Sequence, residues 1–99
     1  MNTVILIRKK ALKFYTKREA REWINENQTK YPRYIIILTK DIIQIVRDYQ
    51  ASGLNFDVLR NYVKKRGYPE TLAELIKTNN KIRHWKKYTS RIEVLNIWR

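Results

Sequence analysis

The chain opens with two short hydrophobic runs that are typical of paired β-strands. Residues Thr3–Arg8 have the sequence TVILIR, whose β-branched residues predict a buried strand. Residues Ala11–Tyr15 predict a second short strand, which would pair with the first across a turn at Lys9 and Lys10. The amino-terminal segment is therefore expected to begin as a strand, a turn and a strand.

A helix and a third strand are expected next. Thr16 and Glu19 have the spacing of a capping box, in which each side chain accepts a hydrogen bond from a backbone N–H at the start of a helix. The helix should extend to about Asn27, and Pro32 then breaks the helical pattern. The sequence RYIIIL at Arg33–Leu38 predicts another buried strand. The inward positions of the helix are expected to be Ala20, Trp23 and Ile24.

Residues 39–80 contain three amphipathic patterns, and each predicts a helix. The first helix should begin after a cap at Thr39 or Lys40, before Asp41, and end at Gly53. The second should begin after a cap at Asn55 and end at Gly67. The third should have Pro69 as its first residue and end at Asn79. The last two helices suggest a helix-turn-helix, but Glu70 and Glu74 lie on the candidate recognition helix. Carboxylates there would repel phosphates, so this interpretation is disfavoured.

The tail, residues 81–99, supports two interpretations. Ser90 and Glu93 have capping-box spacing, which favours a helix, whereas the β-branched residues that surround them favour a strand. We expect a helix over Ile82–Tyr88, followed by a strand over Ile92–Trp98 that joins the amino-terminal sheet.

These elements together predict one basic α+β domain over residues 1–99. A small mixed β-sheet, built from the amino-terminal strands and the carboxy-terminal one, would pack against three to four helices. The chain divides into 1–38, 39–80 and 81–99. No apolar run approaches the ~20 residues that span a bilayer, and the apolar stretch Val4–Ile7 precedes the positive charges, unlike a signal peptide. We therefore expect a cytoplasmic protein with no membrane partner.

The net charge is the strongest indication of the kind of partner this protein binds. The chain has 22 lysines and arginines against 9 acidic residues, a net charge of +13. Such an excess attracts polyanions, and folding does not require it, because like charges destabilise a compact state. The expected partner is nucleic acid, DNA or RNA, or a nucleoprotein complex. The alternative partner is an acidic protein surface. The simplest alternative of all is a soluble basic protein that has no polyanionic partner.

The basic residues fall into three clusters, within residues 8–18, 60–66 and 77–91. Lysine and arginine bind phosphates, while aromatic rings can stack on unpaired bases. We expect Trp85 and Tyr88 to stack, unless they are core residues on the inner face of a helix. The predicted nucleic-acid-binding residues are Lys9, Lys10, Lys13, Lys64, Lys65, Arg66, Arg83, Trp85, Lys86, Lys87 and Tyr88.

Enzyme chemistry finds little support in the composition. Cysteine is absent, His84 is the only histidine, and the carboxylates are scattered singly, so we expect no metal, no cofactor and no catalytic residue. A small basic ribonuclease toxin that uses His84 is a minor alternative.

The main rival to a nucleic-acid-binding protein is an inhibitor of the kind that phages and plasmids encode. Such a protein would dock on a host nuclease, polymerase or nucleoprotein complex. A component of a ribosome-like particle is a third class. The same positive charges would serve all three functions.

Overall fold

The protein folds as an α+β structure, as the sequence predicts. The computed structural model describes residues 3–8, 10–86 and 93–96. In these ranges no helix is long and apolar enough to cross a membrane. The elements in chain order are β1 (Thr3–Ile7), β2 (Lys10–Phe14), α1 (Lys17–Asn27), β3 (Ile35–Leu38), α2 (Thr39–Ala51), α3 (Phe56–Lys65), α4 (Glu70–Thr78), α5 (Ile82–Lys86) and β4 (Glu93–Asn96).

The four strands form one sheet in the order β3-β1-β2-β4. Every neighbouring pair is antiparallel, so the predicted mixed sheet is wrong in this respect. A hairpin reverses the chain between β1 and β2, and the α1 connection then crosses β1 so that β3 runs in the direction of β2. The predicted carboxy-terminal strand is confirmed over Glu93–Asn96, where it pairs with β2. The remainder of its expected range lies outside the described residues.

Helices cover both faces of this sheet. Val4 and Leu6 of β1 pack into a core with α2, α3, α4 and α5, whereas Ile5 and Ile7 pack into a second core with α1. Successive side chains of a strand point to opposite faces, so β1 contributes alternately to the two cores. Strand β1 is consequently buried along its whole length.

The helix starts follow the predicted caps in two of three cases. Thr16 Oγ1 accepts from Glu19 N–H at 3.1 Å, and Asn55 Oδ1 accepts from Asp57 N–H at 3.1 Å. The predicted cap of α2 is wrong, because β3 runs directly into the helix and Thr39 is already its first residue. The helix expected over Ile82–Tyr88 is confirmed over Ile82–Lys86 as α5, and its last two positions lie outside the described residues. With α5 the described residues contain five helices, against the three to four expected to pack on the sheet.

The two glycines end helices as expected. Gly53 and Gly67 have φ values of +74° and +79°, a backbone conformation that residues other than glycine rarely adopt. After α3, the Gly67 N–H donates to the Lys64 carbonyl at 3.0 Å and the Tyr68 N–H to the Val63 carbonyl at 3.1 Å. This is a Schellman motif, which reverses the chain before α4. Pro69 lies one residue before α4 instead of at its first position.

Trp85 fixes α5 to the rest of the helical layer. Its side chain is completely buried in the larger core, and its indole N–H donates to the Asn79 carbonyl at 2.7 Å. Asn79, also buried, donates its side-chain amide to the Leu75 carbonyl at the end of α4. These two hydrogen bonds and the burial of Trp85 hold the start of the tail against the end of α4.

We predict that Trp85→Ala lowers the free energy of unfolding by about 3–5 kcal/mol, because it leaves a large cavity and an unpaired carbonyl. Urea denaturation measures this change. Arg83→Ala, an exposed position on the same helix, should change stability by less than about 0.5 kcal/mol. Equal losses in the two variants would contradict the structural role of Trp85.

Candidate nucleic-acid interface

Most of the positive charge in the described residues lies at the surface. Every described lysine and arginine side chain is exposed except that of Lys13. Among these exposed basic side chains, only Arg18, which contacts Glu22, and Arg60 form ion pairs with a described carboxylate. Most of the basic side chains are therefore available to an anionic partner.

Lys13 is the exception, and its predicted role as a phosphate contact is wrong. The side chain is only 2% exposed. Lys13 shares a strand face with Ala11, directed towards the α5 side of the sheet, and its Nζ donates to the His84 carbonyl. The ammonium group therefore links β2 to α5 inside the protein, where a phosphate cannot reach it.

Trp85 is not a stacking group either. The complete burial of its ring supports the alternative that it is a core residue. A base cannot stack on a ring that has no exposed face. The predictions for Lys9, Lys87 and Tyr88 lie outside the described residues.

The predicted cluster Lys64, Lys65 and Arg66 lies exposed at the carboxy-terminal end of α3. Arg66 stacks over Tyr62, with its guanidinium carbon 4.5 Å from the ring centroid and Nη2 donating to the phenol oxygen at 2.5 Å. Burial raises the pKa of Tyr62 above its ordinary value, and the neighbouring Asp48 carboxylate raises it further. The phenol therefore lies between the Asp48 carboxylate and the Arg66 guanidinium.

A groove of about 450 Å³ runs beside this cluster, between α3 and the start of α4. Its walls carry both signs of charge. Arg60 lies 3.6 Å from Glu70, which also lines the groove, and 3.8 Å from Asp57. A phosphate that entered here would have to displace or approach these carboxylates, which disfavours the groove as an anion site.

Arg83 and Lys86 are exposed on α5, as expected for phosphate contacts, and α5 packs mainly against α2. Lys77 Nζ, near the end of α4, is 4.6 Å from the ring centroid of Phe56, the first residue of α3. The Lys77 side chain therefore lies beside the start of α3, whereas Lys64 is eight residues further along this helix, about 12 Å away. Lys77, the first residue of the third predicted cluster, thus contacts the opposite end of α3 from Lys64.

The strand order creates a further basic surface at the hairpin end of the sheet. Lys10 is paired with Ile7 across the β1–β2 hairpin. On the other side of β1, Leu6 pairs with Ile35, so the residues before β3 lie beside the same hairpin. We define this hairpin-end surface as Arg8, Lys10, Lys30, Tyr31, Arg33 and Tyr34.

Aromatic side chains accompany the charges of the hairpin-end surface. The rings of Trp23 and Tyr31 stack with centroids 5.7 Å apart and 24° between their planes. The guanidinium carbon of Arg8 is 5.8 Å from the Tyr31 centroid, within range of a cation–π contact. A pocket of about 100 Å³ opens between Ile7, Lys10, Leu12, Trp23 and Tyr31.

The sequence pattern identifies Lys10 as a binding residue and places Arg8 in a basic cluster, but it misses the other four residues of this surface. It predicts Trp23 only as an inward helix residue, and Arg33 and Tyr34 only as part of a strand. The available signal is the acid-free interval between Glu26 and Asp41, which contains Lys30, Tyr31 and Arg33. Its proximity to Lys10 becomes evident only when the order of the strands is known.

Comparison with known proteins adds no functional information. No protein family model, curated protein or solved structure matches the chain. Within the described ranges, no group of histidine, aspartate and glutamate side chains could hold a metal ion. The arrangement of charges and aromatic rings is therefore the basis on which a function can be inferred.

We predict that Lys13→Ala lowers the free energy of unfolding by about 1–3 kcal/mol, since it deprives a carbonyl of its buried donor and removes packed methylene groups. Lys10→Ala, an exposed change on the same strand, should cost less than about 0.5 kcal/mol. Chemical denaturation of both variants compares the positions. A neutral effect of Lys13→Ala would show that this lysine is not a structural link.

Proposed function

We propose that this protein binds nucleic acid without catalysing a reaction, mainly through phosphate contacts that carry little sequence information. The observation that supports this most is the hairpin-end surface. It combines four exposed basic side chains with two tyrosines, and none of its six residues is acidic. Because nucleic acid is found inside cells, the proposal includes a cytoplasmic location for the protein.

The affinity of such a surface comes from counterion release. Each lysine or arginine that neutralises a phosphate frees condensed cations from the nucleic acid, so binding weakens steeply as salt rises. Arg8, Lys10, Lys30 and Arg33 are all exposed and form no ion pair with any described carboxylate. They can therefore approach phosphates without first breaking an ion pair.

The local balance of charge favours the hairpin-end surface over the α3 cluster. In the α3 region Arg60 is paired with two carboxylates, and Asp48 lies against Tyr62. Acids beside a binding surface repel phosphates and reduce the gain from each basic residue. Arg83 and Lys86 on α5 remain candidate secondary contacts.

We predict that Lys10→Glu combined with Lys30→Glu weakens nucleic-acid binding more than either of two matched double variants. The matched pairs are Lys64→Glu with Lys65→Glu, and Arg83→Glu with Lys86→Glu. All three change the net charge equally, so a difference between them reports position. Fluorescence anisotropy of labelled DNA and RNA, titrated at about 50–200 mM salt, gives affinities and salt slopes. The hairpin-end pair should flatten the slope by about 0.7–0.9 for each phosphate that the variant no longer neutralises.

Two results would contradict parts of this proposal. Equal losses of affinity in all three variants would mean that the whole charged surface acts together and that the hairpin end is not its centre. If the unmodified protein binds neither DNA nor RNA at the lowest salt, the proposed function is wrong. An acidic protein surface would then become the better explanation of the charge.

A further inference from the structure

We propose that the pocket beside Trp23 and Tyr31 receives an unpaired nucleobase, so that the protein prefers single-stranded nucleic acid to a duplex. This inference rests on the proposed function and specifies the ligand of the same surface. The structural basis is an aromatic, largely apolar recess with basic side chains at its rim.

The walls of the pocket suit a flat apolar group. Ile7 and Leu12 come from adjacent strands of the sheet, while Trp23 and Tyr31 come from α1 and the segment that follows it. Of the five residues that line the pocket, only Lys10 is charged, and its side chain is exposed. A base could thus insert between apolar walls while its phosphate remains beside Lys10.

The aromatic rings are held in place by the fold. Trp23 lies between Phe14, at a centroid distance of 6.1 Å, and Tyr31, at 5.7 Å. The backbone around them is fixed as well, because the Asn27 side-chain amide donates to the Trp23 carbonyl at 2.8 Å and the Tyr31 N–H donates to the Asn27 carbonyl at 3.1 Å. Both rings are nevertheless only half-buried. A preformed, partly open aromatic platform loses little freedom on binding.

The chemistry of the pocket distinguishes single strands from duplexes. In a duplex the bases are already paired and stacked on each other, so their faces are not accessible to protein side chains. In a single strand an unpaired base can leave its neighbours and stack on an aromatic ring, a contact that contributes about 1–3 kcal/mol per base. Arg8, next to Tyr31, can contact the adjacent phosphate or the base face.

A free nucleotide would satisfy the same pocket chemically but not the surface around it. Lys30 and Arg33 lie outside the pocket and are exposed on the same surface. They can contact further phosphates only when the ligand continues beyond one nucleotide. The ligand that fits the whole arrangement is therefore a strand.

The test compares Tyr31→Ala with the unmodified protein on four probes: an oligothymidine of about 12 nucleotides, an abasic strand of equal length, a duplex of equal length and thymidine monophosphate. The unmodified protein should bind oligothymidine more tightly than the abasic strand, the duplex or the mononucleotide. Tyr31→Ala should weaken oligothymidine binding by roughly 5- to 100-fold. Its effect on the abasic strand should be much smaller, and the salt slope should not change, because no phosphate contact is removed.

Two variants control for indirect effects. Tyr31→Phe retains the ring and should restore most of the affinity for oligothymidine. Tyr15→Ala removes an exposed tyrosine that follows Phe14, at the opposite end of the sheet, and should leave binding unchanged. Thermal melting monitored by circular dichroism verifies that each variant is folded at the temperature of the assay.

The outcomes separate the two proposals. Equal affinity of the unmodified protein for oligothymidine and the abasic strand, or equal weakening of both in Tyr31→Ala, overturns the base pocket while phosphate binding stands. Tightest binding of the mononucleotide also overturns it, in favour of a nucleotide site. If no probe binds at low salt, both proposals are wrong.

Discussion

The burial of β1 on both faces is the constraint on which the rest of this structure depends. A strand that is buried along its whole length needs a cover on each side, because either face left in water would expose two large apolar residues. Helix α1 covers one face, and the four later helices cover the other. The apolar residues fill these two cores, and every described lysine and arginine except Lys13 lies at the surface.

The one described lysine inside shows how the two ends of the chain are joined. Lys13 lies on the face of β2 that is covered by α5, and its ammonium group binds a carbonyl of that helix. Trp85, from the same helix, is buried against residues of α2, α3 and α4. Lys13 and Trp85, which the sequence pattern predicts as binding residues, are therefore buried residues that hold α5 against the rest of the structure. The fold leaves the hairpin end, where Lys10 is exposed, as a basic and aromatic surface.

Local patterns are sufficient to predict most of the elements but not the site. The β-branched runs, the caps at Thr16 and Asn55 and the terminal glycines depend on interactions between near neighbours, so they are visible in the sequence. Whether Lys13 and Trp85 are buried depends on the elements that pack against them, which are distant in sequence. The antiparallel sheet likewise depends on where the α1 crossover places β3. The hairpin-end surface combines residues from β2, the hairpin and the segment before β3. No local pattern indicates that these segments meet.

The central claim is that nucleic acid binds at the hairpin end of the sheet. Backbone amide shifts of isotope-labelled protein, followed by nuclear magnetic resonance while oligothymidine is added, test it most directly. We expect the largest shifts at Arg8, Lys10 and the amides of Lys30, Tyr31, Arg33 and Tyr34, with small changes at Lys64 and Lys65. Shifts concentrated at the end of α3, or spread evenly over all exposed basic residues, would contradict it.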